Sequence, residues 1–140
     1  MAVKPWIGSI KEPIPVPKIN PEKPKNEYVI DWVYGYRSDE GRMNLFFNKN
    51  GRAVYPTAAL GVVYNFTEKI QTYFGGGKTD YGSKKGKSET VHTDDITALC
   101  VNNDRSKVAT GQNGQAPHIF VWDSTTAVHV CTKRMPKGSR

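Results

Sequence analysis

Two stretches of the chain repeat one pattern of short β-strands, and this repeat restricts the possible folds more than any other feature. Tyr64-Asn65 aligns with Trp122-Asp123, and residues 70–73 align with residues 128–131, in both cases 58 positions apart (122 minus 64, 128 minus 70). Short apolar runs alternate with polar turns, and no run keeps a 3.6-residue apolar period over ten or more residues. The sequence therefore predicts an all-β chain with two four-stranded antiparallel units.

Individual strands and turns can be assigned within these units. Asn50-Gly51 between two apolar runs predicts a hairpin turn. A strand is expected in YVIDWVYGY, ahead of the first unit, whose four strands are MNLFFN, AVYPT, GVVYNF and KIQTYF; those of the second unit are DITALCV, KVATG, HIFVWD and AVHVC. A unit of this size that ends in Trp-Asp, a polar turn and one more strand is typical of a β-propeller blade.

The N-terminal 27 residues have a different composition. They contain six prolines, which exclude a helix or a central strand and favour an extended, polyproline-like arm. We expect the arm to lie along a neighbouring protein; the alternatives are a plain linker and a proline-rich ligand for an aromatic-lined groove.

Both units contain motifs that resemble those of a known protein family. Residues 91–130 resemble a WD repeat, and residues 31–66 resemble the HELP motif that precedes the propellers of the echinoderm microtubule-associated protein-like family. The matching HELP positions are Val33 to Arg37, Asn44-Leu45, Val54-Tyr55 and Val62 to Asn65. The resemblance implies WD-repeat propeller blades and this division of the chain: arm 1–27, HELP-like blade 28–74, Gly/Lys-rich loop 75–91, WD blade 92–132 and connector 133–140.

The resemblance also implies a hydrogen-bond set that holds the WD blade together. His92, Thr110 and Trp122 match three members of that set, and Asn113 stands where the family normally has Asp. Asn113 can still accept a hydrogen bond, but without the strength that a charge adds. Two blades alone leave long strand edges exposed, so we expect further blades from the same chain or from a neighbouring chain.

Two tripeptides suggest a phosphate-binding loop at first sight. They are Gly77-Lys78-Thr79 and Gly86-Lys87-Ser88. A phosphate loop needs a glycine five positions before its Gly-Lys and a helix after it, but Thr72 and Tyr81 occupy those positions and a strand follows. We therefore expect no nucleotide and no other cofactor.

No catalytic or metal-binding arrangement emerges from the spacing of the remaining residues. Asp123-Ser124 with His118 lacks the oriented geometry of a hydrolase, so the chain is not expected to be an enzyme. The three histidines have no paired spacing with Cys100 or Cys131, which predicts no zinc site. Each cysteine lies in a β-like run and is expected to be a buried, reduced thiol.

A net charge of +7 favours an anionic partner, although a merely solubilising surface stays open. The candidate contacts to tubulin or another anionic surface are Lys78, Lys84, Lys85, Lys87, Lys133, Arg134 and Lys137. We found no apolar run long enough to span a bilayer and no signal-peptide pattern, which favours the cytoplasm and no membrane partner.

The resemblance implies a non-enzymatic, microtubule-associated scaffold in the cytoskeleton, with the axoneme of a cilium or flagellum as the specific setting. Its partners would be tubulin or microtubule-associated proteins. The alternative is a WD-repeat adaptor that binds proteins through the propeller face without touching tubulin. RNA binding is a third, weaker possibility, because Tyr81 alone is interleaved with the lysines of the loop.

Overall fold

The described part of the protein contains two four-stranded antiparallel sheets, and within each sheet every strand pairs with the next one along the chain. The computed structural model describes residues 7–22, 29–38, 41–76, 90–115 and 117–136. The first sheet contains β1 (Phe46–Phe47), β2 (Ala53–Thr57), β3 (Leu60–Asn65) and β4 (Ile70–Phe74). The second contains β5 (Ile96–Val101), β6 (Lys107–Gln112), β7 (His118–Asp123) and β8 (His129–Arg134). The predicted all-β, two-unit architecture is confirmed.

The internal repeat extends to the turn after the third strand of each sheet. Asn65 ends β3 and its side-chain oxygen accepts from the backbone N–H groups two and three residues ahead, at 3.1 and 3.4 Å. Asp123 ends β7 and does the same, at 3.0 Å for both bonds. Lys69 lies in the turn before β4, and Ala127 lies at the aligned position in the turn before β8. Both have a left-handed backbone, with φ of 54° and 56°. The two units therefore use the same local chemistry to reverse the chain.

The hydrophobic core lies between the two sheets. The Trp122 ring stacks on the Phe74 ring with centroids 5.1 Å apart and planes 4° apart, and Val54 and Val63 belong to the same buried cluster. Gly61 faces this stack, since a Cβ atom placed there would lie 2.7 Å from Trp122 Cζ2. Only a hydrogen fits at this position, so the glycine allows the indole to approach the first sheet.

Polar contacts join the two sheets at both ends of the core. At one end the Asn48 amide, which is 2% exposed, donates to the Ser124 carbonyl at 2.7 Å. At the other end Arg37 Nη1 forms an ion pair with Asp95 at 2.7 Å, and the Ile96 N–H donates to the Ala58 carbonyl at 2.9 Å. The relative position of the sheets is thus fixed by hydrogen bonds as well as by packing.

The prediction of a strand in YVIDWVYGY was wrong for the part that the structure describes, because residues 29–38 form no strand. The segment instead crosses the first sheet and bonds to its side chains. The Gln71 amide pairs with both the N–H and the carbonyl of Val33, at 2.9 and 3.1 Å. The Tyr73 hydroxyl donates to the Asp31 carbonyl at 3.1 Å. Side chains therefore take the place of a strand partner for the backbone of Asp31 and Val33, whereas the Arg37 N–H donates to the Pro56 carbonyl at 3.2 Å.

Both cysteines are exposed, so the prediction of buried thiols was wrong. Strand pairing puts Cys100 opposite Ala109, Ala109 opposite Val121 and Val121 opposite Cys131. The cysteines therefore occupy the two ends of one row on a single face, and the buried Leu99 beside Cys100 shows that the opposite face carries the core. A β-like run alone does not say which face of a sheet is covered.

The two ends of the described chain also differ from their expected form in detail. Strand β8 continues to Arg134, so the first two residues of the predicted connector belong to the second sheet. In the arm, Ile7–Ser9 form one turn of 3-10 helix, and all of residues 7–22 are exposed. No helix in the described part of the chain is long and apolar enough to cross a membrane.

Candidate functional site

A chain of buried hydrogen bonds runs through the second sheet. The Trp122 indole N–H donates to Thr110 Oγ1 at 3.1 Å, and His92 Nε2 lies 2.7 Å from the same oxygen. His92 Nδ1 lies 3.0 Å from Gln112 Oε1. Thr110 and Trp122 are fully buried and His92 is 5% exposed, so each polar atom depends on its protein partner.

The partners determine which nitrogen of His92 carries the proton. An indole N–H can only donate, so Thr110 Oγ1 accepts from Trp122 and has its single hydroxyl hydrogen left for His92. His92 Nε2 is then the acceptor, and the proton lies on Nδ1, which donates to the Gln112 carbonyl oxygen. Every polar group in this chain of hydrogen bonds has a partner when the His92 imidazole is neutral.

Burial lowers the pKa of His92 to about 4, because the charged ring would lose its solvation; Gln112 opposes this effect and nearby His118 adds to it. A protonated Nε2 would also point a second N–H at the Thr110 oxygen and leave the hydroxyl hydrogen without its acceptor. With both ring nitrogens occupied and the ring enclosed, His92 stabilises the blade and cannot reach a substrate as a base.

Gln112, not Asn113, is the fourth member of this chain of hydrogen bonds. Gln112 is 7% exposed, and its amide nitrogen donates to Thr93 Oγ1 at 3.2 Å. Asn113 is exposed, and its backbone N–H donates to the Asp95 carbonyl at 2.9 Å. The prediction of Asn113 was wrong by one residue, because side chains alternate along β6 and Gln112 shares the inward face with Thr110.

The residues considered for catalysis have structural partners instead. The Ser124 hydroxyl donates to the Arg105 carbonyl at 2.7 Å, and the Asp123 carboxylate pairs with Lys107 at 2.8 Å. Lys107 and the N–H groups of Thr126 and Thr125 hold the pKa of Asp123 far below its ordinary value. In the described part of the chain no three His, Cys, Asp or Glu side chains come together in a way that could hold a metal ion.

Some of the predicted contacts to an anionic surface lie in the part of the chain that the structure describes, and the others lie outside it. Lys133 and Arg134 are exposed on β8, opposite Ile119 and His118 of β7. The remaining contacts, which are Lys78, Lys84, Lys85, Lys87 and Lys137, lie outside the described residues.

Two further basic residues that the sequence reasoning missed meet at the turns before β2 and β6. The Lys49 N–H donates to the Arg105 carbonyl at 3.1 Å, although the residues are 56 positions apart (105 minus 49). The aligned turns Asn48 to Arg52 and Asn102 to Ser106 were a usable signal, since equivalent turns of neighbouring blades lie at the same end of a propeller.

Comparisons with known proteins agree with this architecture. The HELP motif family matches residues 23–62, which include the segment that crosses the first sheet together with β1 and β2. The chain is 45% identical over its whole length to the ciliary WD repeat-containing protein ctxp80 of Euplotoides octocarinatus, and 34% identical over 75% of its length to human echinoderm microtubule-associated protein-like 1. The chain is similar to the echinoderm microtubule-associated protein-like family over three quarters of its length. This similarity confirms the resemblance that the HELP and WD motifs indicated.

The family members extend well beyond this chain. It spans 20% of the ciliary protein and 12% of the human protein. A chain in the "Crystal Structure of Mitotic Checkpoint Complex" has a TM-score of 0.51 and 13% sequence identity over 88% of this chain and 35% of that one. At that identity the likeness concerns the fold alone, and it supports WD-repeat propeller blades. The relatives named above are WD-repeat and microtubule-associated proteins, and neither is named as an enzyme.

Proposed function

We propose that this protein is a non-enzymatic scaffold that attaches to microtubules, with the axoneme of a cilium as its setting. The observation that carries the proposal is the 45% identity to a ciliary WD repeat-containing protein along the entire chain, arm included. The names of the echinoderm microtubule-associated protein-like relatives support the microtubule as the binding partner.

The lysines between the two blades are the proposed contacts to tubulin or to another acidic surface. Lys78, Lys84, Lys85 and Lys87 lie within ten residues of one another, with Gly82 and Gly86 among them. A glycine-rich basic segment can meet an acidic surface without a fixed geometry, and the net charge of +7 attracts such a surface from a distance. Lys133, Arg134 and Lys137 would extend the same contact from the end of the second sheet.

The arm and the open sheet face are the proposed contacts to other proteins. Residues 7–22 are exposed throughout, which supports a role along a neighbouring protein in a larger assembly. On the second sheet Val130 is 50% exposed and both cysteines are accessible, which supports packing against a further blade of the same or a neighbouring chain. Native mass spectrometry of this chain should detect association, whereas a monomer that stays folded alone would contradict the blade partner.

Microtubule co-sedimentation tests the basic contact. Binding should weaken as salt rises through the physiological range, because the Debye length falls from about 10 Å at 0.1 M to about 3 Å at 1 M. The double variant Lys84→Glu/Lys85→Glu should lose most of its binding. Arg42→Glu/Lys69→Glu removes the same charge from exposed positions outside the loop and should bind almost as well as the parent chain.

Equal loss in the two double variants would show that net charge alone, not this segment, drives binding. If microtubule binding changes neither with salt nor with the lysine substitutions, the adaptor function is favoured, in which protein partners contact the propeller face and tubulin is not touched directly.

A further inference from the structure

A cleft of about 390 Å³ opens between the first strands of the two sheets. Its apolar wall includes Phe46 and Phe47 of β1 and Val101 at the end of β5, and Asn103 and Arg105 lie at its edge. Phe46 and Val101 also pack against the buried core cluster, so the wall is held in place by the core. Cavities of this size accept one or two side chains of a ligand. We call this feature the turn cleft.

The cationic edge of the turn cleft is held by its backbone. The Arg105 carbonyl accepts from both the Lys49 N–H at 3.1 Å and the Ser124 hydroxyl at 2.7 Å, and Arg105 has a left-handed φ of 57°. The side chains of Arg105 and Lys49 are exposed, and within the described part of the chain neither forms an ion pair with a carboxylate. Asp104, next to Arg105, is bonded to the hydroxyl and N–H of Ser106, and these bonds together with the nearby Lys49 lower the pKa of its carboxyl, so among the described residues Arg105 is the cation of this edge that is free of an acidic partner.

We infer that the turn cleft binds a short acidic peptide that carries an aromatic or large aliphatic side chain. The apolar side chain would enter between Phe47 and Val101, and a carboxylate of the peptide would face Arg105, because a guanidinium binds carboxylates in a favourable planar geometry. Single-stranded nucleic acid fits less well, since it needs a row of cations along a groove and rings free to stack on bases.

The turn cleft lies at the seam between two blades that already contact each other, whereas further blades of a propeller pack on the outer faces of the sheets. Among the described residues, its lining contains neither Lys133 nor Arg134, two of the residues proposed for microtubule binding.

Fluorescence anisotropy with synthetic peptides tests the inference on the whole chain. The probe is a labelled peptide of glutamates around one phenylalanine, and the comparison peptides replace the phenylalanine with serine or the glutamates with lysine. The serine peptide should bind at least about tenfold more weakly, because it has no apolar side chain to bury in the cleft. The lysine peptide should show no binding.

A matched pair of variants locates the site. Arg105→Asn removes the charge and keeps a residue that tolerates a left-handed backbone, and it should weaken binding by about fivefold, or about 1 kcal/mol. Lys69→Asn makes the same change at another exposed, left-handed turn position, with φ of 54°, and should bind as the parent chain does. Asn103→Glu, at an exposed rim position, should weaken binding by repulsion.

Unchanged affinity in Arg105→Asn, or equal affinity for the glutamate and lysine peptides, would overturn the inference. The Lys84→Glu/Lys85→Glu variant should still bind the peptide, which separates a failure of this site from a failure of the proposed microtubule contact. Circular dichroism of each variant should match that of the parent chain, so that a loss of affinity reports the cleft.

Discussion

Replacing Thr110 with valine should destabilise the protein through hydrogen bonding alone. Valine has almost the shape of threonine, so packing in the strand changes little, but the hydroxyl oxygen between Trp122 and His92 disappears. The indole N–H then has no acceptor and His92 Nε2 has no donor. Both groups are buried, and water cannot replace the lost partner without opening the core.

The expected size of the effect comes from the two orphaned groups. Leaving one buried polar group unpaired costs about 1 to 3 kcal/mol, so two such groups predict a loss of about 2 to 6 kcal/mol in the free energy of unfolding. Thr110→Ser is the matched control, because it keeps the hydroxyl and removes one methyl group, at a cost of about 1 kcal/mol.

Urea unfolding followed by circular dichroism measures the difference. At neutral pH the midpoint should fall clearly further in Thr110→Val than in Thr110→Ser, with similar slopes in the two variants. If valine is tolerated as well as serine, the hydrogen bonds do not stabilise the blade and the reasoning about His92 and Trp122 is refuted.

Two further predictions concern the same chain of hydrogen bonds. The pKa of His92 falls from 6.5 to about 4 on folding, so the contribution of the neutral ring to the free energy of unfolding is complete above pH 6.5 and is lost as the pH falls towards 4, in total about 3 kcal/mol. Urea titrations across this pH range should show the loss of stability in the parent chain and a flatter pH profile in His92→Gln. Equal pH dependence in the two proteins would contradict the assignment. Gln112→Ala should lower the thermal unfolding temperature by several degrees more than Asn113→Ala, since only Gln112 bonds to His92, and the reverse order would restore Asn113 as the fourth member.

Local patterns predicted most of the strands because short apolar runs with turn residues between them leave few alternatives. Strand β7 has the predicted bounds, and Asn50-Gly51 lies in the expected turn, where Gly51 has a φ of 72°. The segment before β1 was harder, since its tyrosines, valine and tryptophan favour a strand. Its backbone bonds go to side chains of Gln71 and Tyr73, which are distant in sequence and invisible to a local pattern.

The hydrogen-bond set shows the same division between local and long-range information. The motifs identified His92, Thr110 and Trp122, but the fourth position depends on which residues of β6 face inward. Gln112 and Asn113 are adjacent and chemically similar, so only the strand register distinguishes them. The turn cleft could not be predicted from spacing either, because its two walls come from different blades.

The stacking of Phe74 on Trp122 affects how the chain is synthesised. During translation the first sheet leaves the ribosome 48 residues before its aromatic partner does (122 minus 74). At about 5 to 20 residues per second, Val54, Val63 and Phe74 stay uncovered for about 2 to 10 seconds. The first blade therefore completes its apolar core only after the second blade has been synthesised, and until then it exposes the kind of surface that leads nascent chains to aggregate.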